Sequence, residues 1–270
     1  MNAAKDKTQS SDIKLQLCGV KKSFGKNQVL RGIDIQVPKG ESLVVIGGSG
    51  TGKSVMLKSV LGLIAPDEGS ILVDGQETVG LDNKERDKLM RKFGMLFQGG
   101  ALFDSLKIWE NIAFGLIQGR GIDRKSAKET AMEKIKAIGL REDVAELYPA
   151  ELSGGMQKRV SLARAIAANP EIIFFDEPTT GLDPIMADVI NELISHTVKE
   201  MGATALSITH DMASARKIAD HVAMIYEGKI IWHGPVDELD HSGNEYVDQF
   251  INGSAEGPIT DDAKMIEKAA

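Results

Sequence analysis

Eight residues, GGSGTGKS at positions 47–54, stand between the apolar run LVVI and the segment VMLKSVLGL. No other stretch restricts the fold so strongly, because it demands a buried strand, a loop almost without side chains, and a helix, in that order. It fits G-x-x-x-x-G-K-[ST], with Gly47, Gly52, Lys53 and Ser54 at the fixed positions. Successive backbone N–H groups can turn inward around phosphate oxygens only where no Cβ obstructs them. Gly47, Gly48, Ser49, Gly50, Thr51 and Gly52 therefore read as the wall of an anion cradle. The helix that follows presents its positive end to the same anion. Lys53 adds a mobile point charge for β- and γ-phosphates, and Ser54 a hydroxyl for Mg²⁺. A flexible glycine turn can contain GKS by chance, but strand before and helix after are the context the motif needs.

A second acidic strand supports that reading. The run IIFFDE ends in Asp176 and Glu177, which places two carboxylates at the carboxyl edge of a sheet, where phosphates bind. Asp176 is the candidate for holding Mg²⁺ through water, and Glu177 for orienting or deprotonating an attacking water. Taken alone, the pair could be solvated charges at a strand end.

The rest of the chain alternates in the same way. Short apolar runs at Leu43 to Ile46, Ile172 to Phe175, Thr204 to Ile208 and Val222 to Tyr226 are the mark of strands buried on both faces. Longer helical stretches separate them, such as Met156 to Ala168, closed by Asn169-Pro170. The fold class is α/β, with a mainly parallel sheet covered by helices. Two regions interrupt it. SILVDGQETV, with an Asp74-Gly75 turn, predicts a small antiparallel hairpin, and about Gly99 to Ala150 predicts an inserted helical subdomain. MNAAKDKTQSSD reads as a frayed, polar N-terminus without a secretory signal. From His241 onward the sequence predicts irregular chain, then a short charged helix or disorder.

Composition removes several function classes. A net charge of -7 disfavours a general nucleic-acid role. The single Cys18 cannot form an internal disulfide, and five scattered histidines lack metal-ligand spacing, which suits a reducing cytoplasm. The apolar runs are far shorter than the roughly 20 residues of a membrane-spanning helix, so any membrane role is expected to act through a partner.

LSGGM, from Leu152 to Met156, precedes the helical stretch QKRVSLARAIAA. Ser153, Gly154 and Gly155 would expose N–H groups at that helix's positive end and form a second anion site, although SGG before a helix is commonly an ordinary cap. With GGSGTGKS, Gln98, LSGGM, IIFFDE, GLD and His210 in this order, the sequence resembles the nucleotide-binding subunits of ATP-binding cassette (ABC) transporters, over about Ile13 to Leu239. The resemblance implies a P-loop NTPase (RecA-like) core over 13–240, a helical subdomain over about 99–165, a disordered N-terminus over 1–12 and an extension over 241–270. It implies ATP and Mg²⁺ as cofactors. Phe24 falls where an aromatic ring stacks on adenine, and Gln98 where a glutamine senses Mg²⁺ and the attacking water. Asp183, in Gly181-Leu182-Asp183, falls in a loop that crosses the subunit interface, and His210 where a histidine contacts the γ-phosphate. In such proteins LSGGM of one subunit closes over the nucleotide held by the glycine loop of the other, so a homodimer is expected.

The run GMLFQGGALFDSLKIWENIAFGL and the tail VDQFINGSAEGP narrow the resemblance to ATPases of the Mla or MCE type, which move phospholipids between the membranes of Gram-negative bacteria. Those work with a membrane permease, an MCE-domain lipid-binding protein and often a small STAS-domain protein, peripherally at the cytoplasmic face of the inner membrane. Leu102, Phe103, Leu106 and Trp109 are candidates for an apolar groove receiving the permease, or for packing within the insert. Two alternatives stay open: another ABC importer for a small solute, and a soluble ABC ATPase in DNA repair or translation.

Overall fold

The computed structural model describes residues 12–262. The expected disorder before Ile13 and the charged helix expected at the C-terminal end lie largely outside the described residues. Strands β1 (Ile13–Phe24) and β2 (Asn27–Pro38) form a long antiparallel hairpin. After β3 (Ser42–Ile46) and helix α1 (Lys53–Val60), strands β4 (Glu68–Val73) and β5 (Gln76–Glu77) add to the hairpin in the order β2-β1-β4-β5. The Asp74-Gly75 turn sits between β4 and β5 as expected, with both residues at positive φ, 52° and 73°. The full reach of the β1–β2 hairpin was not legible in the sequence, where register shifts blur its alternation.

The second sheet is built from β3, β6 (Phe93–Leu96), β7 (Ile172–Asp176), β8 (Thr204–Thr209), β9 (His221–Tyr226) and β10 (Lys229–Pro235). Its order is β10-β9-β3-β8-β7-β6, parallel except for the β10–β9 edge. Side chains alternate across it, and both sides are covered. Ile172 and Phe174 face a core shared with α1 and the antiparallel sheet, while Ile173 and Phe175 face the helices on the other side. That two-sided burial explains why the strands read as unbroken apolar runs. Lys14, only 4% exposed, joins the two sheets by donating to Asp74 (2.7 Å) and to Glu171.

Helix α2 (Asn83–Met90) precedes β6, and three α-helices lie between β6 and β7, with shorter π and 3-10 turns among them: α3 (Ile108–Phe114), α4 (Arg124–Ala137) and α5 (Gly154–Ile166). The predicted helix at Met156 to Ala168 is thus present, starting two residues earlier. Trp109 is not a groove residue. It is 4% exposed and packs in the insert's core, roofed by Arg124 at 4.6 Å and Lys128 at 5.0 Å from its ring centre. Phe114 takes the exposed position instead, with its ring 4.5 Å from that of Phe103.

Helices α6 (Pro184–Met201) and α7 (Met212–Ile218) cover the sheet, and the tail forms α8 (Glu245–Asn252). The tail is therefore more ordered than the irregular chain expected. Asn244 caps α8 through its side chain and Gly253 ends it at φ 61°. Val247 is fully buried, and the hydroxyls of Tyr226 and Tyr246 both donate to Asp262, at 2.9 and 3.1 Å.

Candidate nucleotide and catalytic site

The glycine loop leaves the end of β3 and turns into α1. Gly47, Gly50 and Gly52 sit at φ 152°, 77° and 110°, a region L side chains rarely adopt. Two of them also lack room. A Cβ on Gly47 would strike the carbonyl of Ile225, and one on Gly52 would lie 2.9 Å from Leu30 Cδ2. No side chain caps α1, so its first-turn N–H groups face the loop's concavity. Thr51 Oγ1 donates to the Gly48 carbonyl at 2.9 Å and closes the turn. Lys53 is 8% exposed, with its ammonium on the carbonyls of Gly47 (2.7 Å) and Gly48 (2.8 Å). Burial pushes Lys53 below the usual lysine range, against the charges of Glu177 and Asp176, which favour its protonated form. Ser54 follows on the exposed face of α1.

Asp176 ends β7. Its Oδ1 is buried and, among the described residues, has no hydrogen-bond partner. Burial, and then the neighbouring Glu177 charge, raise its carboxyl above the usual range. Glu177 occupies the left-handed region at φ 50°, a strained place for a residue with a Cβ, fixed by its N–H donating to Ile208 O at 3.0 Å. Its Oε2 accepts from Thr180 Oγ1 at 3.0 Å and pairs with His210 Nδ1 at 2.7 Å. Glu177 is nearly covered, 12% exposed, whereas His210 is 60% exposed and carries the pair to the surface. Beside it, a cavity of about 350 Å³ is lined by Thr180, Leu182, Asn191 and His210.

The structure thus gathers Lys53, Asp176, Glu177 and His210 around the glycine loop. Gln98 is exposed in the loop after β6, and its backbone carbonyl accepts from the ammonium of Lys158 on α5. Lys158, 7% exposed and within the field of Asp176 and Glu177, was missed in the sequence, because only the tertiary fold brings α5 to that loop. Phe24 lies at the open β1–β2 turn, half exposed, with Lys22 at 5.6 Å from its ring centre. Ser153 caps α5 through Met156 N at 3.4 Å, ahead of Gly154 and Gly155. Among the described residues no hydrogen bond or ion pair joins residues 153–155 to residues 47–54. Asp183 caps α6, accepting from Ile185 N and Met186 N at 3.1 Å each. Its carboxylate is therefore committed to the helix start.

The orphaned, buried Asp176 oxygen suits a divalent cation, which would satisfy it and offset the charge that burial disfavours. Among the described residues no three His, Cys, Asp or Glu gather into a metal cage. Hydroxyl, amide, water and phosphate oxygens would have to complete such a coordination.

A buried parallel strand delivering a glycine cradle to a helix start, with an acidic pair closing the neighbouring strand, defines a P-loop nucleoside triphosphatase. The helices inserted between β6 and β7 narrow this to the cassette type. The sequence profile of the ABC transporter family matches residues 30–180, and the chain belongs to that family: it is an ABC-type ATPase that binds ATP. It is 38% identical over 263 residues to the probable ribonucleotide transport ATP-binding protein mkl of Mycobacterium leprae, spanning 96% of this chain and 76% of that one. It is also 38% identical over 235 residues to the intermembrane phospholipid transport ATP-binding protein MlaF of Escherichia coli K12, spanning 87% of each. Among solved structures it is similar to a dimeric ATP-binding cassette in a post-hydrolysis state bound to ADP and Pi. That match has a TM-score of 0.75 and 33% identity, and covers 82% of this chain and 98% of the other.

Proposed function

We propose that this chain is the ATP-hydrolysing subunit of a transporter that moves phospholipid between the inner and outer membranes. The observation that carries the reading is the 38% identity to MlaF across 87% of both chains. Among the described residues no helix is long and apolar enough to cross a membrane, so force must pass to membrane-embedded partners. Phe103 and Phe114 support this as an exposed aromatic pair on the insert, with Phe97 exposed beside Gln98. That patch is where a permease would dock, with an MCE-domain lipid-binding protein, and a small STAS-domain protein, completing the complex at the cytoplasmic face of the inner membrane.

The chemistry follows from the site. Lys53 and the loop's N–H groups hold the phosphates, and Ser54, Gln98 and Asp176 would hold Mg²⁺, which would supply charge neutralisation for the phosphates. Glu177 orients or deprotonates the attacking water, while His210 and Thr180 fix its carboxylate. Phe24 offers its ring face to adenine. Among the described residues Ser153, Gly154 and Gly155 make no hydrogen bond to the chain's own cradle, and the similar solved cassette is dimeric. Both features favour a homodimer in which each copy completes the other's site, with Asp183 at the crossing loop.

The kinship to mkl favours a second reading, another importer with a different cargo, because no residue described here would touch the cargo. The test is to tag the chain in its own host, extract it gently in detergent and identify the co-purified proteins and lipids. Recovery with a permease, an MCE-domain protein and phospholipid is expected. Recovery with a solute-binding protein would overturn the lipid reading, and recovery with ribosomes or DNA without membrane proteins would overturn transport altogether.

A further inference from the structure

The helix that begins at Ser153 does more than present an N-terminus. Lys158, Ser161 and Arg164 stand at three-residue intervals along α5, on one face, and all aim at the backbone of the loop containing Gln98. Lys158 donates to the Gln98 carbonyl. Ser161 Oγ lies 3.1 Å from the Gly100 carbonyl, its proton shared with Gln157 O at 2.8 Å. Arg164 donates to Gly100 O and Ala101 O, at 2.7 Å each. The loop itself is unusual backbone. Gly100 and Ala101 both sit at positive φ, 74° and 48°, and a Cβ on Gly100 would come within 2.8 Å of Ser161 Oγ. Within the loop the Gly100 N–H donates to Phe97 O at 2.8 Å, and the α5 donors supply partners for the carbonyls of Gln98, Gly100 and Ala101.

We propose that Lys158, supported by Ser161 and Arg164, is a positioning residue for ATP hydrolysis: it locks the Gln98 loop to the helix carrying Ser153 to Gly155. Engagement of those residues is thereby transmitted to the side chain of Gln98. Lys158 also places a second cation, besides Lys53, in the field of Asp176 and Glu177. The proposal deepens the reading of this site and rests on the role given there to Gln98.

The test is a kinetic cycle on the full chain, purified from its own host as the complex in which it is found. Lys158→Met keeps the stem and removes the donor, Lys158→Arg keeps a donor, and Ser161→Ala is a milder variant that spares the fold. Loss of one charged hydrogen bond predicts a fall in kcat of about tenfold for Lys158→Met, with KM for ATP within about twofold and substantial rescue by Lys158→Arg. Ser161→Ala is expected to lower kcat less, in the same direction. In a Gln98→Ala background, Lys158→Met should add almost nothing, because both changes disable one unit. Multiplying effects in the double variant, or a raised KM with kcat intact, would overturn the proposal while leaving Gln98 in place. Unchanged kcat in Gln98→Ala alone would remove the site role of Gln98, and the proposal with it.

Discussion

Replacing Glu177 with Gln tests the catalytic assignment with little disturbance of the fold. The amide oxygen can still accept from Thr180 Oγ1 and from His210 Nδ1, the contacts that now lie at 3.0 and 2.7 Å. The strained backbone at φ 50° is common to both side chains and is fixed by the N–H to Ile208, which the change leaves alone. Removing the charge also relieves Asp176, which burial first and Glu177 second hold above the usual carboxylate range. Stability should therefore move by no more than about 1 kcal/mol. A positioned general base contributes about 10²- to 10⁴-fold to rate, or about 3 to 5 kcal/mol of barrier, and the variant should lose that much of kcat. Phosphate release at saturating Mg-ATP measures turnover, while nucleotide affinity and light scattering report binding and dimer formation. The expected outcome is near-complete loss of turnover with ATP binding retained and a persistent dimer. Turnover within about threefold of the parent would refute the base, because the amide cannot take the proton. Loss of turnover together with ATP binding would instead assign Glu177 a structural role.

Three other outcomes follow from the same geometry. Lys53→Ala should weaken ATP binding by about 10- to 100-fold, the range for one charged hydrogen bond, and unchanged affinity in a direct titration would count against the phosphate cradle. Phe103→Ser combined with Phe114→Ser should leave ATP affinity intact and reduce recovery of the membrane partners; undiminished recovery would place the dock elsewhere. At Asp74, burial pushes the carboxyl up, but bonds to Lys14 and Lys92 outweigh it and hold the group below its ordinary value of 3.8. Between that lowered value and the ordinary one the unfolded chain binds a proton that the native chain does not, so stability rises with pH there and is lost as pH falls. Asp74→Asn should accordingly make the acid limb of the melting-temperature profile shallower, and an unaltered limb would show that the Lys14 cluster contributes nothing.

The parts of this architecture that were legible in the sequence are those whose cause is local. Gly47 and Gly52 announce backbone that only glycine adopts, and the buried strands announce themselves as apolar runs because both faces of the sheet are covered. Asp176 and Glu177 were visible because they end such a run. What escaped depends on partners distant in the chain. Trp109 looks like a surface aromatic until α4 folds across it, bringing Arg124 and Lys128 over the ring. The tail looks irregular until Val247 finds its core and Asp262 its two tyrosines. Lys158 reads as one charge among several in QKRVSLAR, since nothing in the local pattern says that its ammonium meets a carbonyl 60 residues away. Asp183 shows the converse, a residue whose helix-capping job was overlooked because its family position suggested an interface.

In the homodimer proposed above, the two halves of each site are held in different ways. Glu177, His210, Thr180 and the cradle are held in place by contacts within a single chain, including the strained backbone that the Ile208 carbonyl secures. Gln98 is different. Its loop is gripped from α5, whose N-terminus at Ser153 has, among the described residues, no bond to the cradle of its own chain. One half of the site is thus preorganised within a single chain, whereas the half that carries Gln98 is tied to the helix that begins at Ser153. In the proposed homodimer the helix that completes one site would also hold the Gln98 loop of the other, so binding and turnover are expected to have separate structural controls.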